Sequence, residues 1–316
     1  MKNIITILLV ISLIYLAISS GAVRIEFRHT PSASAPTQNT QQTAPADKPE
    51  TVPGDKAETT PGDKPDDTPP ETTVPAAVQT DGQLLRLSNE AITYGPGPAK
   101  NGEQPPYAPD AQKEYGKYDV HFIENDKNTI YLTFDCGYDY YREGASVTGM
   151  ILDVLKEKGV KAIFFVTGDF VRDNPEMVQR ILDEGHALGN HSSEHKAMPG
   201  LTIREMEEQI LSLHEIVEKD FGYTMKFFRP PDGAFSLRSL AVTRNAGYET
   251  VHWSFAYGDY DPENQPDPAQ AKEKILSSHH DGAIYLLHAL STTNAQILGD
   301  VIDEFRAMGY RLSVLS

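Results

Sequence analysis

From Thr129 to the C-terminus, short apolar runs alternate with amphipathic helical patterns, and this alternation limits the chain to an α/β architecture with a parallel sheet. The strand candidates are 129–134, 161–166, 226–228, 249–253, 283–288 and 311–315. Helical patterns lie between them at 144–158, 174–184, 203–219, 236–246, 268–278 and 293–308. Gly159, Gly185, Gly247 and Gly309 fall where helix C-caps belong. Seven or so such units are too few for a full eightfold barrel, so the sheet is expected to be open or an incomplete barrel.

The first of these strands sets the chemistry. Ile130, Tyr131, Leu132, Thr133 and Phe134 are β-formers, and the run stops on Asp135, Cys136 and Gly137. A carboxylate and a thiol at the end of an inner strand make poor core. They make a good site, because α/β barrels place their chemistry at the carboxyl ends of their strands.

The N-terminal quarter is of another kind. Met1-Lys2 leads into Ile4–Ile18, apolar apart from Thr6 and Ser12, and then into Ser19-Ser20-Gly21. Residues 1–21 are expected to be an export signal or an uncleaved membrane anchor. Between residues 30 and 80 there is no aromatic residue and no Leu, Ile or Met, but ten of the 22 prolines. PGDK occurs at Pro53–Lys56 and again at Pro61–Lys64. Residues 22–82 therefore cannot offset their ordering entropy and are expected to form a disordered spacer. Residues 83–128, broken by Gly95-Pro-Gly-Pro98 and Pro105-Pro106, are expected to be an irregular lead-in to a domain at 129–316. The net charge of −17 excludes nucleic acid as a partner. A single Cys excludes an intrachain disulfide.

Several further groups sit at strand ends. His191 and His195 follow Gly189-Asn190; two His four apart face one way if the turn is helical, which suits a shared ion, although HxxxH alone is weak. Arg229-Pro-Pro-Asp-Gly233 is either a rigid turn with a surface Arg or a device for orienting a carboxylate. His288 ends an apolar strand and Asp259 follows Trp253-Ser-Phe255; each is also compatible with a plain rim residue. Cys136 is equally compatible with an inert buried thiol.

Taken together and in order, five motifs resemble the polysaccharide deacetylases of carbohydrate esterase family 4. They are Thr133-Phe-Asp-Cys-Gly137, His191-Ser-Ser-Glu-His195, Arg229-Pro-Pro-Asp-Gly233, Ala256-Tyr-Gly-Asp259-Tyr260 and Leu286-Leu-His288. The likeness spans about 120–316. TIYLTFDxGY, Phe228–Ser236 and Gly282–Ile302 are most similar to the branch that acts on muramic acid in spore-cortex peptidoglycan.

The resemblance implies an incomplete, distorted (β/α) barrel of about seven parallel strands, and a metal-dependent N-deacetylase of peptidoglycan glycan. It implies Asp135 as general base held by Arg229, His288 as general acid supported by Asp259, and a divalent ion, zinc by preference, on His191 and His195. The third ligand of the family is an Asp, and its place is taken here by Cys136, whose thiolate would be able to ligate zinc. Leu286 and Tyr260 would shape the acetyl pocket, and the Asp232 backbone N–H would serve the oxyanion. Peptide-free N-acetylmuramic acid is the expected substrate, yielding the δ-lactam. Another N-acetylated polysaccharide, such as chitin oligomers, and a non-catalytic glycan-binding relic are the alternatives. The expected setting is the cell envelope, with the chain monomeric and touching membrane only through residues 4–18.

Overall fold

The structure, a computed structural model, describes residues 78–315. The signal or anchor expected at 1–21, and the spacer apart from its last residues, lie outside them.

The strands are β1 (Val120–His121), β2 (Thr129–Cys136), β3 (Tyr141–Arg142), β4 (Ala145–Ser146), β5 (Ile163–Val166), β6 (Ala187–Asn190), β7 (Phe227–Phe228), β8 (Glu249–Val251), β9 (Ala283–His288) and β10 (Arg311–Ser313). Apart from the small β3–β4 hairpin, they form one all-parallel sheet in the order β1-β8-β7-β6-β5-β2. β2 is the organising strand. β9 covers Ile130–Asp135 on one flank; β5 pairs Thr133–Cys136 and β10 pairs Thr129–Tyr131 on the other. The curl is drawn together by a parallel bridge, Phe255 to Tyr285, carried by the Phe255 N–H on the Ile284 carbonyl at 3.1 Å and the Leu286 N–H on the Phe255 carbonyl at 2.9 Å. This is the distorted, incomplete barrel expected.

Alternation along β2 sorts its side chains into two layers. Ile130, Leu132, Phe134 and Cys136 join the large core between sheet and helices. Tyr131 faces the barrel interior with Ile163, Phe165, Phe227, Val251 and Ile284, and Thr133 and Asp135 share its parity. Each fully buried Phe or Ile contributes about 1.5–3 kcal/mol.

The long helices observed, Val147–Lys158, Pro175–Asp183, Ile203–Phe221, Leu237–Asn245, Pro268–Ser277 and Thr292–Ala307, follow the expected patterns to within three residues. Five of these six starts are set by caps: Ser146, Thr202, Ser236, Asp267 and Ser291 each accept a first-turn backbone N–H.

Several elements differ from the sequence reading. Residues 83–128, expected to be irregular, hold the helix Ala108–Tyr115 and β1, which extends the sheet beyond β8. β1 is only two residues long, too short for any periodic signal. β6, Ala-Leu-Gly-Asn, shows no β-former enrichment because Gly189 is required there. A Cβ on Gly189 would meet the Phe165 ring at 2.4 Å, and that ring fills the barrel interior.

Candidate active site

At the carboxyl ends of the strands lies a cleft of about 730 Å³, lined among others by Asp135, His191, His195, Asp232, Tyr260, Leu286 and His288. Nine of the ten expected site residues thus either line it or, like Arg229 and Asp259 below, hold a residue that does.

Asp135 ends β2 on its interior face. Arg229, immediately after β7, is fully buried at 0% exposure and gives Nη1 to Asp135 Oδ1 at 2.7 Å. Its Nε donates to the Val251 carbonyl at 3.0 Å and its Nη2 to the His252 carbonyl at 3.1 Å, with the guanidinium 4.2 Å above the Phe165 ring. A surface Arg is thereby excluded; this one is a fixed clamp. Burial pushes the Asp135 carboxyl up, but the charge and hydrogen bond of Arg229, with the charge of His288, outweigh it and hold the group below the ordinary carboxylate range. Asp135 is therefore ionised at neutral pH, as a general base must be.

His191 and His195 do meet, with ring centroids 4.9 Å apart, but on a loop and not on a helical turn. Ser192 and His195 both adopt positive φ, 68° and 53°, and Asn190 braces the loop by accepting the Ser192 N–H at 2.8 Å. The His191 Nδ1 donates to the Arg229 carbonyl at 2.8 Å, which turns its Nε2 lone pair toward Asp135 Oδ2 at 3.5 Å. Burial pushes the His191 pKa down to about 4, so the ring is neutral and that contact is no ion pair. A neutral, backbone-anchored imidazole is what a metal ligand requires. His191 and His195 therefore fit a divalent ion, although among the described residues no group of three or more His, Cys, Asp or Glu is arranged to hold one.

Cys136 is not brought to the pair. Its parity turns it from the interior into the helix-facing core, at 1% exposure, with the Phe134 carbonyl 3.9 Å from its sulfur. Burial pushes its thiol well above the ordinary value, so it is protonated.

On the neighbouring strand, His288 ends β9, where its Cα pairs with that of Asp135. Its Nδ1 donates to Asp259 Oδ1 at 2.8 Å and its backbone N–H to Asp259 Oδ2 at 2.8 Å. Burial opposes the imidazolium; the Asp259 hydrogen bond and charge outweigh it and raise the His288 pKa. Tyr260 is 66% exposed and stands 6.1 Å from the His288 ring, so it forms a rim and not a closed pocket wall. Leu286 is buried at the floor.

Sequence reasoning missed Trp253, Tyr138, Thr167, Asp169 and Tyr257, which also line the cleft. Trp253 had a signal: the Gly of Arg-Pro-Pro-Asp-Gly. Gly233 sits at φ 63°, and a Cβ there would meet the Trp253 ring at 2.3 Å. Asn294 was also missed; its amide reaches Asp259 Oδ2 at 2.6 Å.

Known proteins are similar to this chain. A polysaccharide deacetylase family model matches residues 123–251. The peptidoglycan-N-acetylmuramic acid deacetylase PdaA of Bacillus subtilis is 39% identical over 230 residues, 72% of this chain and 86% of that protein. The Listeria monocytogenes peptidoglycan-N-acetylglucosamine deacetylase PgdA is 35% identical over 181 residues, 57% of this chain and 36% of its own length. The structure of Bacillus subtilis PdaA, a family 4 carbohydrate esterase, superposes with a TM-score of 0.67 at 37% identity, covering 72% of this chain and 96% of that one. A family 4 carbohydrate esterase from Bacillus anthracis superposes with a TM-score of 0.57 at 35% identity, covering 72% and 95%. The chain belongs to the polysaccharide deacetylases of carbohydrate esterase family 4, hydrolases of amide bonds.

Proposed function

We propose that the chain removes the acetyl group from N-acetylated sugars of peptidoglycan, with Asp135 as general base and His288 as general acid. The observation that carries this is the pairing of opposite protonation states across one cleft: Asp135 is held ionised by Arg229, and His288 is held toward its protonated form by Asp259. Asp135 takes a proton from water as its oxygen attacks the acetyl carbonyl carbon. His288 then gives its proton to the sugar nitrogen as the carbon–nitrogen bond breaks, and acetate leaves. The Asp232 backbone N–H is assigned to the developing oxyanion, and Leu286 to the acetyl methyl. His191 and His195 would hold a divalent ion, zinc by the chemistry of two imidazoles, which supplies Lewis acidity at the carbonyl and lowers the pKa of a water.

The finer substrate reading is N-acetylmuramic acid stripped of its peptide. It is supported by the similarity to a peptidoglycan-N-acetylmuramic acid deacetylase over 86% of that protein. The freed amine lies next to the lactyl carboxylate and closes on it, with loss of water, to the six-membered lactam of spore cortex. A second reading is favoured by the cleft itself. Asp169 and Asp232 line it and, among the described residues, no Lys or Arg does, which suits a neutral N-acetylglucosamine better than a carboxylate-bearing sugar. Either substrate lies outside the cytoplasmic membrane, consistent with residues 4–18 acting as an export signal or anchor.

Mass spectrometry of muropeptides after treatment with the purified protein tests both. Muramic δ-lactam is expected from peptide-free strands, and free glucosamine without lactam refutes the muramic reading. Asp135→Asn is expected to lose at least about a hundredfold in acetate release; a smaller loss removes Asp135 from the role of base.

A further inference from the structure

Asp259, behind the acid His288, has no exposure at all, and a buried carboxylate charge is costly unless donors surround it. Two of its donors come from His288 itself. A third comes from the first turn of the helix Thr292–Ala307: the Asn294 Nδ2 donates to Asp259 Oδ2 at 2.6 Å and also reaches the His288 carbonyl at 3.3 Å. The orientation of this amide is settled by chemistry, since an ionised carboxylate only accepts. Its Oδ1 accordingly faces the other way and accepts the hydroxyl of Tyr257, a residue of the cleft lining. Asn294 is itself 1% exposed and pinned by its own N–H, which donates to the Ser291 hydroxyl at 3.1 Å. The other side of the loop is tied to the same helix start: Gln265 donates to the Asp259 carbonyl at 3.1 Å and accepts from Ser291.

We propose that Asn294 is a positioning residue for proton delivery to the leaving amine. It fixes the Asp259 carboxylate so that His288 presents its Nε2–H to the scissile nitrogen, and it links that pair to the cleft lining through Tyr257. Rotation of Asp259 by one hydrogen bond would swing the imidazole, and a misplacement of this order costs roughly a hundredfold in rate. The groups facing His288 are Asp259, Asp135 and Arg229 by charge and Tyr260 by its ring, none of which replaces the Asn294 donor. The inference rests on the assignment of His288 as the acid.

The leaving group separates this role from a merely structural one. An amide nitrogen must be protonated to depart, whereas the phenolate of an activated aryl acetate departs without a proton. Asn294→Ala is expected to lower kcat on N-acetylated glycan about 10- to 100-fold with little change in KM, and to leave aryl acetate hydrolysis within about threefold. Asn294→Leu, close in shape but without the amide donor and without a new charge beside Asp259, is expected to behave likewise, and serves if the Ala variant does not fold. Equal losses on amide and ester, or none on either, overturn the proposal. His288→Ala is measured alongside. If it too shows no dependence on the leaving group, the assignment of the acid fails; if it alone shows that dependence, only the role of Asn294 fails.

Discussion

The clamp on Asp135 can be tested through stability, independently of turnover. Arg229→Met removes a guanidinium of 0% exposure from a carboxylate of 7% exposure. Breaking a buried pair on one side costs about 3–5 kcal/mol, because the remaining charge is left unpaired. The Val251 and His252 carbonyls also lose their donors, at about 1–3 kcal/mol each. The sum approaches the whole stability of a domain, about 5–15 kcal/mol, so the single variant should be near unfolding at pH 7. Adding Asp135→Asn removes the stranded charge but not the carbonyl terms, so the double variant should regain about 1–3 kcal/mol. Urea unfolding followed by the fluorescence of Trp253, the single Trp, reads this directly. If the two substitutions add within about 0.5 kcal/mol, the pair is not coupled and the clamp argument is wrong.

His191→Ala and His195→Ala should lower bound metal and acetate release in parallel; a variant that keeps full activity after chelation shows the pair to be structural. Stability should fall at alkaline pH through His121, which touches Glu124 at 2.6 Å and Glu249 at 2.7 Å. Burial opposes its charge, but the two carboxylates outweigh it and push its pKa up to about 9. Its folded value exceeds the unfolded one, so its contribution, at most about 3 kcal/mol, is full below pH 6.5 and lost as pH rises through 9. His121→Gln should flatten that loss in melts taken from pH 6 to 10. The raised pKa of His288 should likewise place the alkaline limb of the activity profile above the ordinary histidine range, and His288→Ala should abolish that limb.

The sequence carried the sheet where strands are long and mostly buried, as in β2 and β9, because apart from Asp135 and His288 every residue there is apolar or a β-former. It failed at β6, where packing under Phe165 demands a glycine and so erases local preference. Site residues were legible when they interrupted an apolar run, as Asp135 and His288 do. Tyr257 and Trp253 were not, because an aromatic residue after a strand is indistinguishable from core until the neighbouring loop is placed. The pairing of His191 with His195 was legible from their spacing and from the Gly189-Asn190 turn, which marks a loop at a strand end. What the spacing could not show is how the rings meet: two positive-φ residues on that loop bring them together. The lesson of Arg229 is similar: two prolines announced rigidity, but only the fold shows that its three donors all point inward.

Cys136 shows the same limit most sharply, since motif alignment and strand geometry point in opposite directions. By motif, it stands where the family places a metal ligand, and a thiolate would suit zinc. By geometry, it has the parity of Phe134 and not of Asp135, and it packs in the core with Val147 and Ile151. Its thiol is protonated by burial, with the charges of Asp135 and Asp139 adding to the effect. We expect Cys136→Ser to bind zinc as the parent does, with the hydroxyl donating to the Phe134 carbonyl in place of the thiol. Cys136→Asp would set a carboxylate in an apolar layer beside two others, and should lower the melting temperature without tightening zinc. Titration of zinc into the two variants and the parent, with melts of each, decides the matter. A tenfold loss of zinc affinity in the Ser variant, restored in the Asp variant, would mean that the loop after β2 turns over on metal binding and brings residue 136 into the cleft.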